Sequence, residues 1–270
     1  MKTSHKIFLA KCLAKIVFFF LQKKIFHVKR CGINWELDIN EGIDLSIFVF
    51  GKFEDQILSV SKYITKNNKI DIIDIGSNIG VHTLRFAKMY SQSKIYSIEP
   101  TNYSFNKMMK NLQLNSKIKN ILPFQCFLSD KDYKPENTYS SWNLSSNETR
   151  HSQHLGIQKS TSKAIVTSLD DFILKNNIKR KTLIKCDVDG NEMSVFKSGK
   201  NYFKKYKPYI IMELAPYLYQ ENGYSSEQLL KFLLDLEYEF YDANTYRRII
   251  DINDYSSKIQ TGSSVNIFLK

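Results

Sequence analysis

Between residues 70 and 75 the chain is almost wholly apolar, with Ile70, Ile72, Ile73 and Ile75 broken only by Asp71 and Asp74. A short run rich in β-branched residues predicts a strand buried on both faces. It stops at Gly76 and Gly80, after which Leu84, Phe86 and Ala87 recur at helical spacing over residues 81–90. The alternation repeats downstream: a strand at 95–98, a helix from about 104 to 114, a strand over 121–128, and another strand from Thr182. A fifth follows at 209–213, then a helix at 226–236 whose Leu229, Leu230, Leu233 and Leu234 are expected to face inward. Residues 238–241 and 265–269 are expected to pair antiparallel at the sheet edge. Strands alternating with helices predict an α/β fold with a mostly parallel sheet. Ahead of this body, residues 33–39 alternate like a strand, 47–50 form a second short strand candidate, and 53–64 carry helical spacing. Residues 131–163 are polar, with Ser140, Trp142, His151 and His154 among them. A loop of that length predicts a lid or substrate loop.

Charge changes the picture at one end only. The net charge is +12, and residues 1–35 hold eight Lys or Arg with no Asp or Glu, so that segment carries +8. Residues 7–26 are mostly apolar, but Lys11 and Lys15 interrupt them. Two lysines inside so short a run disfavour a spanning helix, and no small-residue cleavage site follows, as a signal peptide would require. Residues 1–30 therefore predict a basic amphipathic helix. It either lies in a membrane surface or packs on its own domain. Residues 31–68 form a lead-in and 69–270 the main domain. The four cysteines (Cys12, Cys31, Cys126, Cys186) have no metal or redox spacing. They are expected to be free thiols of a cytoplasmic protein, which the helix could hold at the inner face of the membrane.

The turn Asp74-Ile-Gly76-Ser77-Asn78-Ile-Gly80 between strand and helix opens a nucleotide-binding unit. A dinucleotide site wants G-x-G-x-x-G, whereas these glycines stand four apart. A carboxylate at the strand end suits a ligand with an ammonium and a sulfonium better than a pyrophosphate, which favours S-adenosylmethionine (SAM). Glu99, after the second strand, is placed to hold ribose hydroxyls. Ser129 and Asp130 close the third strand, where SAM enzymes often hold the adenine.

A second constellation is Lys185-Cys-Asp187-Val-Asp189-Gly190-Asn-Glu192. Lys185, Asp187 and Asp189 stand at period two, so an extended chain points all three to one side. Open α/β sheets bind ligands at the carboxyl ends of their strands, where such charges are tolerable. Gly190 then permits a turn that returns Glu192 to the same cleft. Asp187 is the candidate general base or acceptor-positioning group, with Asp189 and Glu192 beside it and His82 a further candidate base. The clustered oxygens of Asp187, Asp189 and Glu192 are also the set a divalent cation would use; whether a metal is bound stays open. The ion-pair alternative is that these charges merely terminate the strand. Tyr217, Tyr219 and Tyr224 either line an acceptor cleft or pack.

With these residues in place, the chain resembles the FkbM-type SAM-dependent O-methyltransferases over roughly residues 70–240. The resemblance rests on Asp74 to Gly80, Ile98-Glu-Pro100, Asn111 to Asn115, Ser168-Leu-Asp-Asp-Phe172, Lys185 to Glu192 and Pro208 to Glu213. It departs at Asp189, where the family usually has Glu. It implies a Rossmann-like class I methyltransferase fold with a mostly parallel seven-stranded sheet flanked by helices and an antiparallel edge strand at the C-terminus. It also implies SAM as cofactor, held by Asp74, Gly76, Ser77, Asn78, Gly80, Glu99, Ser129 and Asp130. The reaction implied is methyl transfer to a hydroxyl of a sugar, glycan or natural-product scaffold. No Asn-Pro-Pro-aromatic run follows the fourth strand, which argues against N-methylation. A nucleic-acid methyltransferase and a non-catalytic membrane adaptor are the alternatives. The modest charge of the body disfavours the first, and the intact acidic motifs disfavour the second.

Overall fold

The computed structural model describes residues 3–66, 68–130, 135–140, 143–144 and 156–270. Helix α1 (Thr3–Leu21) leads into a hairpin of β1 (Ile25–Arg30) and β2 (Ile33–Asp38). The helix expected over 1–30 thus ends at Leu21, and the boundary drawn at residue 30 falls in the turn of a hairpin. Ile33, Trp35 and Leu37 are all buried, the period-two pattern of a half-buried strand. Among the described residues no helix is long and apolar enough to cross a membrane.

Next comes α2 (Gly42–Phe50), which corrects the expected strand at 47–50. A run of four apolar residues fits either element, and here burial decides. Asp44, Leu45 and Ile47 are buried while Val49 and Phe50 are exposed. The buried Asp44 accepts the Asp38 N–H at 2.6 Å and pairs with Lys107, and Gly51 ends the helix in the left-handed region by donating to Ile47 O. Helix α3 (Asp55–Thr65) follows as expected.

The body runs β3 (Ile72–Ile75), α4 (Val81–Met89), β4 (Ile95–Ile98), α5 (Asn102–Leu114) and β5 (Ile121–Phe124). Expected as one strand over 121–128, the third strand breaks at Gln125. Its second half, β6 (Cys126–Leu128), leaves the sheet to pair with β9 (Ile165–Thr167). Gln125 anchors the break: its side chain donates to Asn102 Oδ1 at 2.8 Å and its carbonyl accepts from Ile165 N. Between them, β7 (Asn137–Ser140) and β8 (Ile157–Ser160) form an antiparallel hairpin inside the segment expected to be loop. Trp142, His151 and His154 lie outside the described residues.

Helix α6 (Leu169–Lys175) is capped by Ser168, whose Oγ accepts from Asp171 N. After it come β10 (Leu183–Cys186), α7 (Glu192–Ser198), α8 (Lys200–Tyr206), β11 (Tyr209–Leu214), α9 (Pro216–Tyr219) and α10 (Ser226–Asp235). Leu229, Leu230 and Leu233 are buried on α10; Leu234 lies off their stripe and is exposed, against expectation. The chain closes with β12 (Phe240–Asp242), α11 (Ile252–Ser257) and β13 (Val265–Leu269).

Seven strands form one sheet in the order β12-β13-β11-β10-β3-β4-β5, parallel except for β13. This is the expected Rossmann-like arrangement. The antiparallel C-terminal strand sits one place in from the edge, between β11 and the outermost β12. Strands β3, β4 and β10 are buried at every position, as central parallel strands covered by helices must be. Hairpin β1–β2 is fastened to the body by α5: Asn111 Oδ1 accepts from Glu36 N and Asn115 Oδ1 from Asn34 N, each at 2.9 Å. Those two asparagines pair a strand edge that would otherwise be open.

Candidate active site

The carboxyl ends of β3 and β10 lie side by side, with Lys185 opposite Asp74 and Cys186 opposite Ile75. Above them opens a cavity of about 620 Å³. Such a volume falls within the roughly 300–1,000 Å³ of small-molecule sites.

One side of the cavity is the glycine turn. Gly76, Ser77 and Asn78 line it, as do Glu99, Pro100 and Thr101 from the end of β4. Glu99 is buried with both oxygens engaged. Oε2 accepts from Asn78 N at 2.9 Å, and Oε1 accepts from Thr101 N at 2.9 Å and Thr101 Oγ1 at 2.6 Å. Burial raises its pKa, with those hydrogen bonds opposing. Asp74 does not line the cavity. It is fully buried beneath the turn, where Oδ2 accepts from Thr83 Oγ1 at 2.6 Å and Oδ1 lies 3.5 Å from Lys185 Nζ. Gly80 is also below the surface, facing Met108. Cys126, Phe127 and Leu128 line the cavity, but Ser129 and Asp130 do not. Asp130 Oδ1 instead accepts from Ser194 Oγ at 2.6 Å, and Ser129 Oγ lies 3.3 Å from the same hydroxyl.

Gly76 has a reason the sequence did not show. Its φ is +76°, and a Cβ there would stand 1.8 Å from the carbonyl oxygen of Asp187. The glycine lets the two loops touch; that contact, rather than a ligand, excludes a side chain.

Opposite the turn, β10 and β11 supply charge. Lys185, Asp187, Asp189 and Glu213 line the cavity. Asp187, Asp189 and Glu213 each bring a carboxylate oxygen within 4.8 Å of the others. Lys185 is buried, with Nζ donating to Gly76 O at 2.8 Å and lying 3.5 Å from Asp187 Oδ2. Desolvation pulls its pKa down, but the carboxylates of Asp187 and Asp74 outweigh that and leave it raised. Burial raises the Asp187 pKa, with Lys185 opposing and Asp189 adding to the rise. Burial also lifts Glu213 well above its usual value, aided by Asp187 and opposed by a hydrogen bond from Ser264.

Glu192 does not return to the cleft. It is buried away from it, where Oε1 accepts from Val188 N at 3.2 Å and Oε2 faces the Tyr224 hydroxyl at 3.4 Å. Burial lifts its pKa to about 7. The oxygen cluster open to a cation is therefore completed by Glu213, not Glu192. His82 does line the cavity, with Nε2 3.5 Å from Glu54 Oε2 and its ring between Phe53 and Phe86. Tyr217 lines it too, whereas Tyr219 and Tyr224 stack on each other at 5.0 Å and pack.

Sequence reasoning missed Glu54, Glu213 and Ser264. Glu213 had a signal: β11 runs parallel to β10 with Met212 opposite Cys186, which sets Glu213 beside Asp187. Glu54 and Ser264 arrive from distant segments and had none. The third wall also went unread. Leu9, Ala10 and Leu13 of α1, Ile43 and Phe50 of α2, and Thr138 and Tyr139 of β7 close the cavity from above.

Residues 74–240 match the model of the methyltransferase FkbM domain. Methyltransferase 1 of Beauveria bassiana (strain ARSEF 2860) is 28% identical over 142 residues, which are 47% of this chain and 57% of that protein. Methyltransferase sdnD of Sordaria araneosa is 30% identical over 101 residues, 34% of this chain and 38% of its own length. The chain thus spans about half the length of these curated relatives. A methyltransferase FkbM from Methylobacillus flagellatus KT, solved as a crystal structure, aligns with a TM-score of 0.46 and 16% identity. That alignment covers 75% of this chain and 44% of the other.

Proposed function

The chain belongs to the FkbM methyltransferase family, and from that premise we propose that it methylates a hydroxyl of a sugar or glycan acceptor, using SAM. One observation carries the reading: a cavity lined by Glu54, Glu99, Asp187, Asp189 and Glu213 against one buried lysine, bordered by a glycine turn. Such a lining suits a nucleoside ligand that is itself cationic and disfavours a pyrophosphate, so the donor set fits SAM. The residues that would hold it are Gly76, Ser77, Asn78, Glu99, Thr101 and the apolar Cys126 to Leu128. When bound, SAM supplies a methyl group on an electrophilic sulfonium.

The chain's own residues do the rest. Asp187 takes the proton from the acceptor hydroxyl, which raises the nucleophilicity of that oxygen. Lys185, 3.5 Å away and itself held by Gly76 O, favours the carboxylate form of Asp187. Glu213, whose pKa burial raises, brings its carboxylate within 4.8 Å of Asp187 and Asp189. Tyr139, Tyr217 and the apolar roof position the acceptor and exclude water, so that orientation contributes much of the acceleration.

The test is Asp187→Asn, which keeps shape and removes the base. Transfer of a radiolabelled methyl group from SAM to glycan and glycolipid extracts should fall by at least about 10². Calorimetric SAM affinity should change only a few-fold. Full activity in the variant removes Asp187 from the mechanism, and a wild-type protein that binds NADH but not SAM overturns the reading.

A further inference from the structure

Helix α1 has two apolar faces with different surroundings. Ile7 and Ala14 are buried, and Ala10, Leu13 and Val17 pack beside them against Ile39, Leu45 and Leu144. On the opposite side Phe8, Ile16, Phe19 and Phe20 are 66%, 55%, 71% and 74% exposed. At 100° per residue those four fall within an arc of about 120°, where a water-facing helix would carry polar side chains. A contiguous exposed apolar face of this kind marks an interaction surface. Exposed Lys15, Lys23 and Lys24 border it, and residues 1–35 contain no acid.

We propose that this face seats the protein on an anionic lipid surface, with α1 lying in the plane of the headgroups. Charge complementarity selects the occupant. Bulky apolar side chains in a segment whose charged residues are all basic match a negatively charged bilayer. A second copy of the chain would instead bring like charges together. Both expected uses of the helix then hold at once, since one face packs on the domain while the other meets lipid. Resting on the methyltransferase reading, one consequence concerns the acceptor. Leu9, Ala10 and Leu13 of the same helix wall the cavity, so a seated protein holds its cavity beside the membrane, where a lipid-linked acceptor is confined.

The full chain is sedimented with vesicles of phosphatidylcholine containing phosphatidylglycerol, and with phosphatidylcholine alone. Binding is expected to the anionic vesicles only, weakening as salt rises. Phe19→Asp with Phe20→Asp should reduce it more than about tenfold. Lys23→Gln and Lys24→Gln should each reduce it about five-fold. All these side chains are exposed, so thermal melting should not change. Absence of binding to anionic vesicles, or undiminished binding by the Phe19→Asp, Phe20→Asp variant, overturns the proposal. So does a wild-type dimer that Phe19→Asp dissociates. SAM affinity, measured on the same samples by calorimetry, reports separately on the methyltransferase reading.

Discussion

Two stretches face each other at the floor of the cavity, residues 74–80 where β3 ends and turns, and residues 187–192 after β10. Each follows a buried parallel strand, carries acids and turns on a glycine. Their polar atoms are used differently. At the first the protein consumes them: Asp74 bonds Thr83, Ser77 Oγ donates to Asp74 O at 2.7 Å, and Glu99, reaching in from the end of β4, takes three donors. In the second, Asp187 and Asp189 keep part of their surface open to the cavity and share it with Glu213. The first is a seat tied by its own hydrogen bonds, and the second is where charge is left available for chemistry. Lys185 joins them, reaching Gly76 O and Asp74 on one side and Asp187 on the other.

The contact between the loops gives the largest expected effect. Gly76→Ala places a methyl group against the Asp187 carbonyl, a backbone atom that cannot swing aside. Gly223 is the matched control, with φ +79° but nothing within 4 Å of its would-be Cβ. The control should lose only the left-handed penalty of about 1–2 kcal/mol. Gly76→Ala should lose more than about 4 kcal/mol in urea denaturation, a size reserved for severe overpacking. Equal losses in the two variants would mean that the loops are not interlocked.

Much of this contrast could not be read from the chain. The β3 turn, Glu99 and the β10 acids were legible because local pattern and spacing carry them. Whether Asp74 would meet a ligand or Thr83 depended on a helix side chain nine residues on, and spacing does not report direction. Glu192 was expected in the cleft because a turn at Gly190 allows it. The structure instead spends that carboxylate on Val188 N and Tyr224, closing its own loop. The roof was illegible for a different reason. It joins α1, α2 and β7, whose neighbours in space are far away in sequence, and 47–50 offered an apolar run too short to fix its period. Gln125 hid the break in the third strand because no glycine marks it.

Glu192 sharpens the comparison through pH. Its carboxyl is buried and its pKa is lifted from 4.5 to about 7. The folded protein therefore binds this proton more tightly than the unfolded chain does. The associated stability is present below pH 4.5 and lost as pH rises toward 7. Glu192→Gln removes that loss, so its advantage over wild type should grow from nothing near pH 4.5 to at most about 3 kcal/mol above pH 7. Urea denaturation at pH 5 and pH 8 measures both ends. A gain that does not depend on pH would show that Glu192 is not protonated by burial.

Asp189 should give the smallest effect, and it tests the one departure from the family pattern. Its φ is +50°, in the left-handed region, which Asp tolerates better than longer side chains because its carboxylate can bond locally. Asp189→Glu restores the family's usual residue but places a less suited side chain on that backbone. Its carboxylate would still reach the cluster with Asp187 and Glu213, one methylene further out. Stability should fall by about 0.5 kcal/mol, a shift of about 1–2 °C in Tm by calorimetry. Methyl transfer should stay within a few-fold, because the proton-accepting role rests on Asp187. If Tm rises instead, the turn prefers Glu on this backbone, and the second loop is as fixed in its geometry as the first. If activity collapses while Tm holds, the position of the Asp189 carboxylate matters as much as that of Asp187.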